Sequence, residues 1–488
     1  MLSRVSTFAI EGVQPRLVTV EVDVRPGLPA FTIVGLGDAA VRESRERIRA
    51  AIQNSGFQFP QQRITANLAP ASLRKAGPGF DAALALALLA ASEQVPASFT
   101  AGVAVFGELS LGGDLRPVAG ALAVAEGARR HGIPLLILPR ERGSEAALVE
   151  GLQVAAVTGL CDVVDAATGV RMPPPPDPAP EDEGGEDLDL ADVRGHAVPL
   201  LALEVAAAGG HNLLLEGPPG TGKTMLARRL PSILPPLSRA EALEVTRIHS
   251  IAGLHSGGLL RRRPFRAPHH TISASGLVGG GAQPRAGEAT LADNGVLFLD
   301  ELAEFPRSAL EALRQPLEDG HVTIVRGQRA LEFPTRLMLV AATNPCPCGF
   351  AGARDRHCNC GEQDLIRYRR RLSGPLLDRI DLMVNVQRPS EDELAAGPRT
   401  NSAEVRTRVI EARRRAAVAT GRAGLEPGAR AALRSAYETG ALSPRGRERV
   451  LRVAQTIAHL SSHARIEEAD VLLALGLRQR PVVEVMAA

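Results

Sequence analysis

The chain of 488 residues has no tryptophan, only two tyrosines and, among 56 basic residues, only two lysines, Lys75 and Lys223. With aromatic residues at 3% there is no row of rings for successive bases to stack on, which argues against a stacking platform for single-stranded nucleic acid. No apolar run approaches the roughly 18 residues of a bilayer crossing. The opening Met1-Leu2-Ser3-Arg4-Val5 also lacks a basic stretch followed by a long apolar core. A soluble cytoplasmic protein with no membrane partner is expected. Cysteine is scarce too: four of the five lie between Cys346 and Cys360, a clustering that suits a local metal site better than a disulfide framework.

What is present is ordinary globular material, 45% hydrophobic and 23% charged, in a length that predicts about three domains. The net charge of +2 conceals an asymmetry. From Arg367 onward 22 arginines face 14 acidic residues, whereas Asp177 to Asp192 holds eight acids and no base. Arginine-rich helices either meet phosphate or carry solvated faces, and periodicity alone does not separate the two. Met172-Pro173-Pro174-Pro175-Pro176 and the acidic stretch after it read as an extended linker over 172–190. Ahead of it, over 1–171, Val18 to Val24 alternates as a strand, while Ala82 to Ala91 and Ala119 to His131 read as helices. Behind it, over 191–386, helices alternate with strands at Gly295 to Leu299 and Leu337 to Ala342, which implies an α/β core on a parallel sheet with ligands at the strand C-termini. Over 387–488 only helices are expected, at Ser402 to Ala419, Pro427 to Tyr437, Pro444 to Leu460 and Ile466 to Leu477.

The lysine scarcity singles out Lys223. It closes Gly217-Pro218-Pro219-Gly220-Thr221-Gly222-Lys223-Thr224, after the apolar run Leu213-Leu214-Leu215 and before a helical stretch. In a chain that uses arginine elsewhere, lysine is kept where a compact ammonium on a flexible stem must reach between β- and γ-phosphates. Backbone N–H groups of the glycine turn and the helix N-terminus would cradle ATP phosphates. About 80 residues later, Val296-Leu297-Phe298-Leu299 ends in Asp300 and Glu301. This is a Walker B pattern, in which Asp300 holds Mg²⁺ with Thr224 and Glu301 polarises the attacking water. Leu337 to Thr343 is a further apolar strand, ending in Asn344, an amide suited to orienting that water as sensor 1. Arg379, in Leu377-Asp378-Arg379-Ile380-Asp381, either reaches a neighbouring subunit's γ-phosphate in a ring or forms an intrachain salt bridge with Asp378 or Asp381.

These segments, with Phe265-Arg266-Ala267-Pro268-His269-His270-Thr271-Ile272-Ser273 and Asn344-Pro345-Cys346-Pro347-Cys348-Gly349, resemble the AAA+ ATPases and, within them, the ComM/YifB family of magnesium-chelatase-like proteins. The resemblance covers essentially the whole chain. It implies a Lon-protease-like α/β front domain, an AAA+ P-loop core and a C-terminal helical lid, with Arg445 at the start of a lid helix as a sensor 2 arginine that touches nucleotide. It also implies a hexamer acting as an ATP-driven DNA motor on branched or displaced strands during recombination of incoming DNA. The competing reading is the ATPase subunit of a magnesium-porphyrin chelatase, which pushes on a partner protein. Where the Lon-like fold would carry its serine and lysine this chain has Gly79 and Leu122, so the hydroxyl and amine of a Ser/Lys mechanism are missing and the front domain is expected to be a binding or assembly platform. His196 stands where the family usually has glutamine.

Three further segments draw expectations. Ile251 to Gly287 is too long for a plain connection and resembles the helix-2 insertion of this clade, though its glycine content argues against long strands. Val322 to Phe333 reads as a β-hairpin centred on Arg326-Gly327-Gln328-Arg329, either a grip on backbone phosphates in a ring pore or a merely polar tip. Adjacent His269 and His270 are expected to point apart and to serve loop hydrogen bonds. Cys346, Cys348, Cys358 and Cys360 supply four soft donors, as tetrahedral Zn²⁺ requires, or stand as reduced thiols in a surface loop.

Overall fold

The computed structural model of the chain describes residues 1–177, 188–255, 257–281, 284–326, 329–353, 356–372, 374–397, 400–419, 421, 423–440 and 442–478. Ten residues of the linker expected over 172–190, 178–187, and Gly327 and Gln328 at the hairpin tip, lie outside the described residues. The chain forms two compact units. One joins Met1–Glu183 to Arg239–Arg261, and the other joins Gly184–Ser238 to Arg262–Ala488.

In the first unit the strands Leu2–Glu11 and Gln14–Arg25 pair antiparallel around Gly12 and Val13. The alternation of Val18, Val20, Val22 and Val24 with Thr19, Glu21 and Asp23 turns the valines into the core, as a period of two dictates. These two strands sit inside a seven-stranded sheet ordered Ala30–Val34, Arg63–Ala69, Gln14–Arg25, Leu2–Glu11, Val103–Val105, Leu135–Pro139 and Gln153–Val157. Beyond Asp81, which pairs with Arg47 at 2.9 Å, the helix Asp81–Ala91 is apolar on every side, and it is buried along its whole length. Gly79, just before it, has no room for a side chain, because a Cβ there would lie 2.6 Å from the Phe106 ring. Leu122 is fully buried.

The segment Arg239–Arg261 packs into this unit although sequence reading placed it in the 191–386 core. Its helix Arg239–Ile251 is tied in by Arg247 to Glu126 at 2.8 Å and by the Gly120 N–H donating to Ser250 Oγ at 3.1 Å. Beyond it, in the second unit, the glycine-rich part of 251–287 forms a short helix, Ala274–Val278, and two-residue strands, Gly279–Gly280 and Arg285–Ala286, in keeping with its glycine content. Arg266 makes a bidentate pair with Glu288 at 2.6 and 2.9 Å, so it is engaged within the chain.

The second unit is built on a parallel sheet of five strands ordered Phe265–Arg266, Val296–Leu299, Met338–Thr343, Leu213–Glu216 and Leu382–Asn385. The three central strands are buried on both faces, which is why they read as unbroken apolar runs. The hairpin His321–Arg326 and Arg329–Pro334 forms beside the sheet with Arg326 opposite Arg329. The C-terminal helices are Ser402–Val418, Pro427–Glu438, Pro444–Leu460 and Glu468–Gly476. Asn401 and Ser443 cap two of them by accepting from the N–H of Glu404 and Gly446. Arginines on the first of these helices fasten it to the core: Arg408 pairs with Glu204 at 2.6 Å, and Arg406 and Arg413 donate to the carbonyls of Ser232 and Ala207. Part of the C-terminal arginine surplus is therefore structural.

His211, 1% exposed, bonds Thr456 Oγ1 at 2.8 Å behind the P-loop strand. Burial, helped by Arg452, Arg413 and Arg449 and opposed by Asp381, lowers its pKa from 6.5 to about 4. The unfolded chain therefore binds this proton more readily. The stability that the neutral imidazole contributes is present above pH 6.5 and is lost as pH falls towards 4, amounting to about 2 kcal/mol at pH 5. In His211→Gln the drop in urea midpoint between pH 7 and pH 5 should shrink by a corresponding amount; an equal drop in both proteins would place the acid sensitivity elsewhere.

Candidate active site

The P-loop leaves the C-terminal end of Leu213–Glu216, with Gly220 and Gly222 at φ 76° and 87°, values that favour glycine. At Gly217 the constraint is space, since a Cβ would lie 2.1 Å from the Val386 carbonyl oxygen. Gly222 opens the helix Lys223–Ile233, whose first N–H groups have no helical partner and face the loop as an anion-binding end. Thr221 Oγ1 closes the turn by donating to the Pro218 carbonyl at 2.9 Å. The Lys223 ammonium folds onto the carbonyls of Gly217 and Pro218 at 2.6 and 2.7 Å and donates to Asn344 Oδ1 at 3.2 Å. Burial pushes its pKa below the ordinary lysine value, against the fields of Asp300, Glu216 and Glu301. Triphosphate oxygens would offset this burial with negative charge. His196 borders the same loop, 3.5 Å from where a Gly222 Cβ would stand, and burial lowers its pKa despite Glu393, so it lies beside the phosphate turn as a neutral ring at neutral pH.

Asn344 ends the strand that lies between the Asp300 strand and the P-loop strand, and the three run parallel, so all three segments emerge on one edge of the sheet. Thr224 Oγ1 donates to Asp300 Oδ2 at 2.7 Å, which brings two hard oxygen donors to one point and fits Mg²⁺ held by this pair. Glu301 takes a left-handed backbone, φ 53° and ψ 48°, uncommon for a residue with a Cβ. Its side chain is 55% exposed and its Oε2 lies 3.5 Å from His270 Nδ1. The two histidines do not point apart as expected, for their ring centroids are 4.1 Å from each other. His269 does serve its loop, sharing a hydrogen bond with Thr271 Oγ1 at 3.0 Å, while His270 turns to Glu301.

Arg379 lies at the opposite edge. Its carbonyl accepts from Asn212 Nδ2 at 2.9 Å, and Asn212 precedes the strand that the P-loop follows. A strand of that length separates the two by about 13 Å of rise. The guanidinium pairs with Glu318 at 2.5 Å rather than with Asp378 or Asp381, and donates to the Pro375 carbonyl at 2.6 Å, while its buried Nε has no partner. Asp381 is held instead by Arg449 at 2.7 Å. The Arg379 hydrogen bond holds the Glu318 carboxyl below its usual pKa, and the fields of Arg445 and Arg449 add to this. Arg445 is exposed, and its field reaches Glu318, the partner of Arg379.

The four clustered cysteines converge. Their sulfurs all lie within 4.8 Å of one another, with Cys346 to Cys348 at 3.3 Å and Cys358 at 3.6 Å from both. A tetrahedral Zn²⁺ with bonds of about 2.3 Å sets its sulfurs about 3.8 Å apart, so the donor set fits. N–H groups of Ala351 and Cys348 donate to Cys346 and Cys360 sulfur at 3.3 and 3.4 Å. Burial raises the Cys346 thiol to about 12, while at Cys348 burial is outweighed by the N–H groups of Phe350 and Asn359, and the pKa falls to about 6. The N–H groups therefore favour a thiolate at Cys348, the form in which a cysteine ligates metal.

Sequence reasoning did not reach three pairings: His270 with Glu301, Glu318 with Arg379, and Pro219 with Gly349, where a Cβ would stand 2.7 Å from the proline ring. Among the described residues no helix is long and apolar enough to cross a membrane. Residues 189–394 match the family described as magnesium chelatase, subunit ChlI, residues 20–142 match subunit ChlI of Mg-chelatase, and residues 399–478 match its C-terminal part. The chain is 40% identical to the competence protein ComM of Haemophilus influenzae, over 98% of this chain and 97% of that one. It is 44% identical to the uncharacterized protein YifB of Escherichia coli, over 85% and 82% of the two chains. An uncharacterized protein of Mycobacterium tuberculosis is 43% identical, over 98% and 99%.

Proposed function

Because the chain belongs to the ComM/YifB family of magnesium-chelatase-like proteins, we propose that it is a cytoplasmic ATPase that works as a ring of identical subunits, a hexamer, and couples ATP hydrolysis to movement of branched or displaced DNA. The observation that carries this reading is the division of the catalytic set between two edges of one sheet. Lys223, Thr224, Asp300, Glu301 and Asn344 gather at the C-terminal edge, and Arg379 lies at the opposite one, with the field of Arg445 reaching its partner Glu318. A second copy, presenting its Arg379 and Arg445 to this P-loop, completes the site. Each subunit then lends one edge and borrows the other, which head-to-tail packing repeats until the ring closes.

Within such a site Lys223 and the helix N-terminus would hold the β- and γ-phosphates, and Thr224 and Asp300 would hold Mg²⁺. Glu301 and Asn344 orient the attacking water and the neighbour's Arg379 neutralises charge that develops on the transferred group. Cys346, Cys348, Cys358 and Cys360 would hold a structural Zn²⁺.

The DNA assignment draws on the relative named a competence protein and on the arginine-rich C-terminal part. Turnover of ATP should rise several-fold on adding a branched DNA duplex and should lose that stimulation steeply with added salt, as phosphate contacts do. ATP turnover that ignores DNA altogether would favour the other reading, a chelatase-type subunit that remodels a partner protein, which the matched family descriptions support.

A further inference from the structure

We propose that the Cys346, Cys348, Cys358 and Cys360 knuckle, loaded with zinc, braces the nucleotide site: the metal holds the turn whose Gly349 seats on Pro219 of the P-loop and keeps Asn344 against Lys223. This rests on the ATPase reading and on zinc occupancy of the thiols. Residues 344–361 contain neither helix nor strand among those described, a long irregular stretch to leave beside a catalytic turn. Asn344 begins it and Cys346, fully buried, follows two positions on. The Gly349 N–H donates to the Cys346 carbonyl at 3.0 Å. Gly349 then turns with φ 86°, and a Cβ there would lie 2.7 and 2.9 Å from the Pro219 ring and 4.0 Å from Asn344 Cγ.

One glycine therefore packs close to the phosphate loop and lies near the sensor amide, and its turn is tied to the Cys346 backbone. Asn344 in turn accepts from the Lys223 ammonium at 3.2 Å. A metal ion is the agent that closes such a stretch, since four thiols alone offer only weak hydrogen bonds whereas Zn²⁺–thiolate bonds contribute folding free energy outright. Loss of the metal frees the Gly349 turn, and with it the wall of the P-loop.

The test compares wild-type protein, the double variant Cys358→Ser/Cys360→Ser and Gly349→Ala. Zinc content is measured by elemental analysis, affinity for a fluorescent ATP analogue by titration, and turnover by phosphate release. Wild-type protein should carry about one zinc per chain. The double variant should lose it and should bind the analogue about tenfold more weakly, with turnover falling by at least as much, since small displacements of a reacting group are costly. Gly349→Ala should keep its zinc and yet show the same losses, because its Cβ pushes on Pro219. Zinc near zero in wild-type protein would overturn the metal. Zinc present with unchanged affinity and turnover in both variants would overturn the brace and leave the metal site standing. A wild-type protein that holds zinc and binds the analogue but hydrolyses nothing would overturn the ATPase reading, while the affinities would still decide the brace.

Discussion

Glu301→Gln binds ATP as the wild-type protein does and hydrolyses it on the order of 10²–10⁴ times more slowly, the range for removing a positioned general base. Binding survives because phosphate affinity comes from the helix end, the glycine turn and Lys223, whose hydrogen bonds run to Gly217, Pro218 and Asn344 and not to Glu301. Hydrolysis fails because the amide cannot take up charge as water attacks. The amide is isosteric with the carboxylate and asks nothing new of the left-handed backbone at Glu301, so the substitution removes the charge while leaving the shape. Nucleotide titration and single-turnover phosphate release measure the two effects separately. Equal rates in the two proteins would remove Glu301 from the reaction.

Arg379→Ala also retains ATP binding and loses turnover, by roughly 10³–10⁵ if it acts as an arginine finger. Its intrachain pair with Glu318 is a weak objection to this role. The Arg379 side chain is only 10% exposed, but Glu318 is 53% exposed, so water screens the carboxylate end of the pair and a triphosphate on a neighbouring subunit competes with it. The buried Nε without a partner and the distance from this chain's own P-loop both agree with a side chain that finishes its hydrogen bonding in an assembly. Arg379→Lys should rescue little, because an ammonium does not reproduce the planar fork. Glu318→Gln is the control for the pairing itself: turnover should be unchanged or higher, since it releases Arg379. A large fall in Glu318→Gln with none in Arg379→Ala would reverse their roles.

The nucleotide site was legible because its parts are local. A buried strand followed by a glycine turn and a lysine, or by two carboxylates or an amide, announces both its chemistry and its place at a strand end, and the parallel order of the sheet then brings Thr224, Asp300 and Asn344 together. The helices of the C-terminal part were legible from period and caps. What was not legible joins residues far apart in the chain: Arg379 with Glu318, His270 with Glu301, Gly349 with Pro219. Each depends on how two loops pack, for which neither periodicity nor spacing carries a signal. The helix Arg239–Ile251 is the same kind of case, since its apolar face is readable but the unit that covers that face is not.

The account rests on a reaction centre shared between subunits, and mixing two inactive proteins tests that most directly. Arg379→Ala protomers keep Glu301, and Glu301→Gln protomers keep Arg379. At equal proportions about a quarter of the interfaces in randomly mixed rings pair an intact Glu301 with an intact Arg379. ATP turnover of the mixture should therefore rise to about a quarter of the wild-type rate, although each variant alone is inactive. A mixture no more active than its two components, with mixed assembly verified by a tag on one of them, would contradict the shared site.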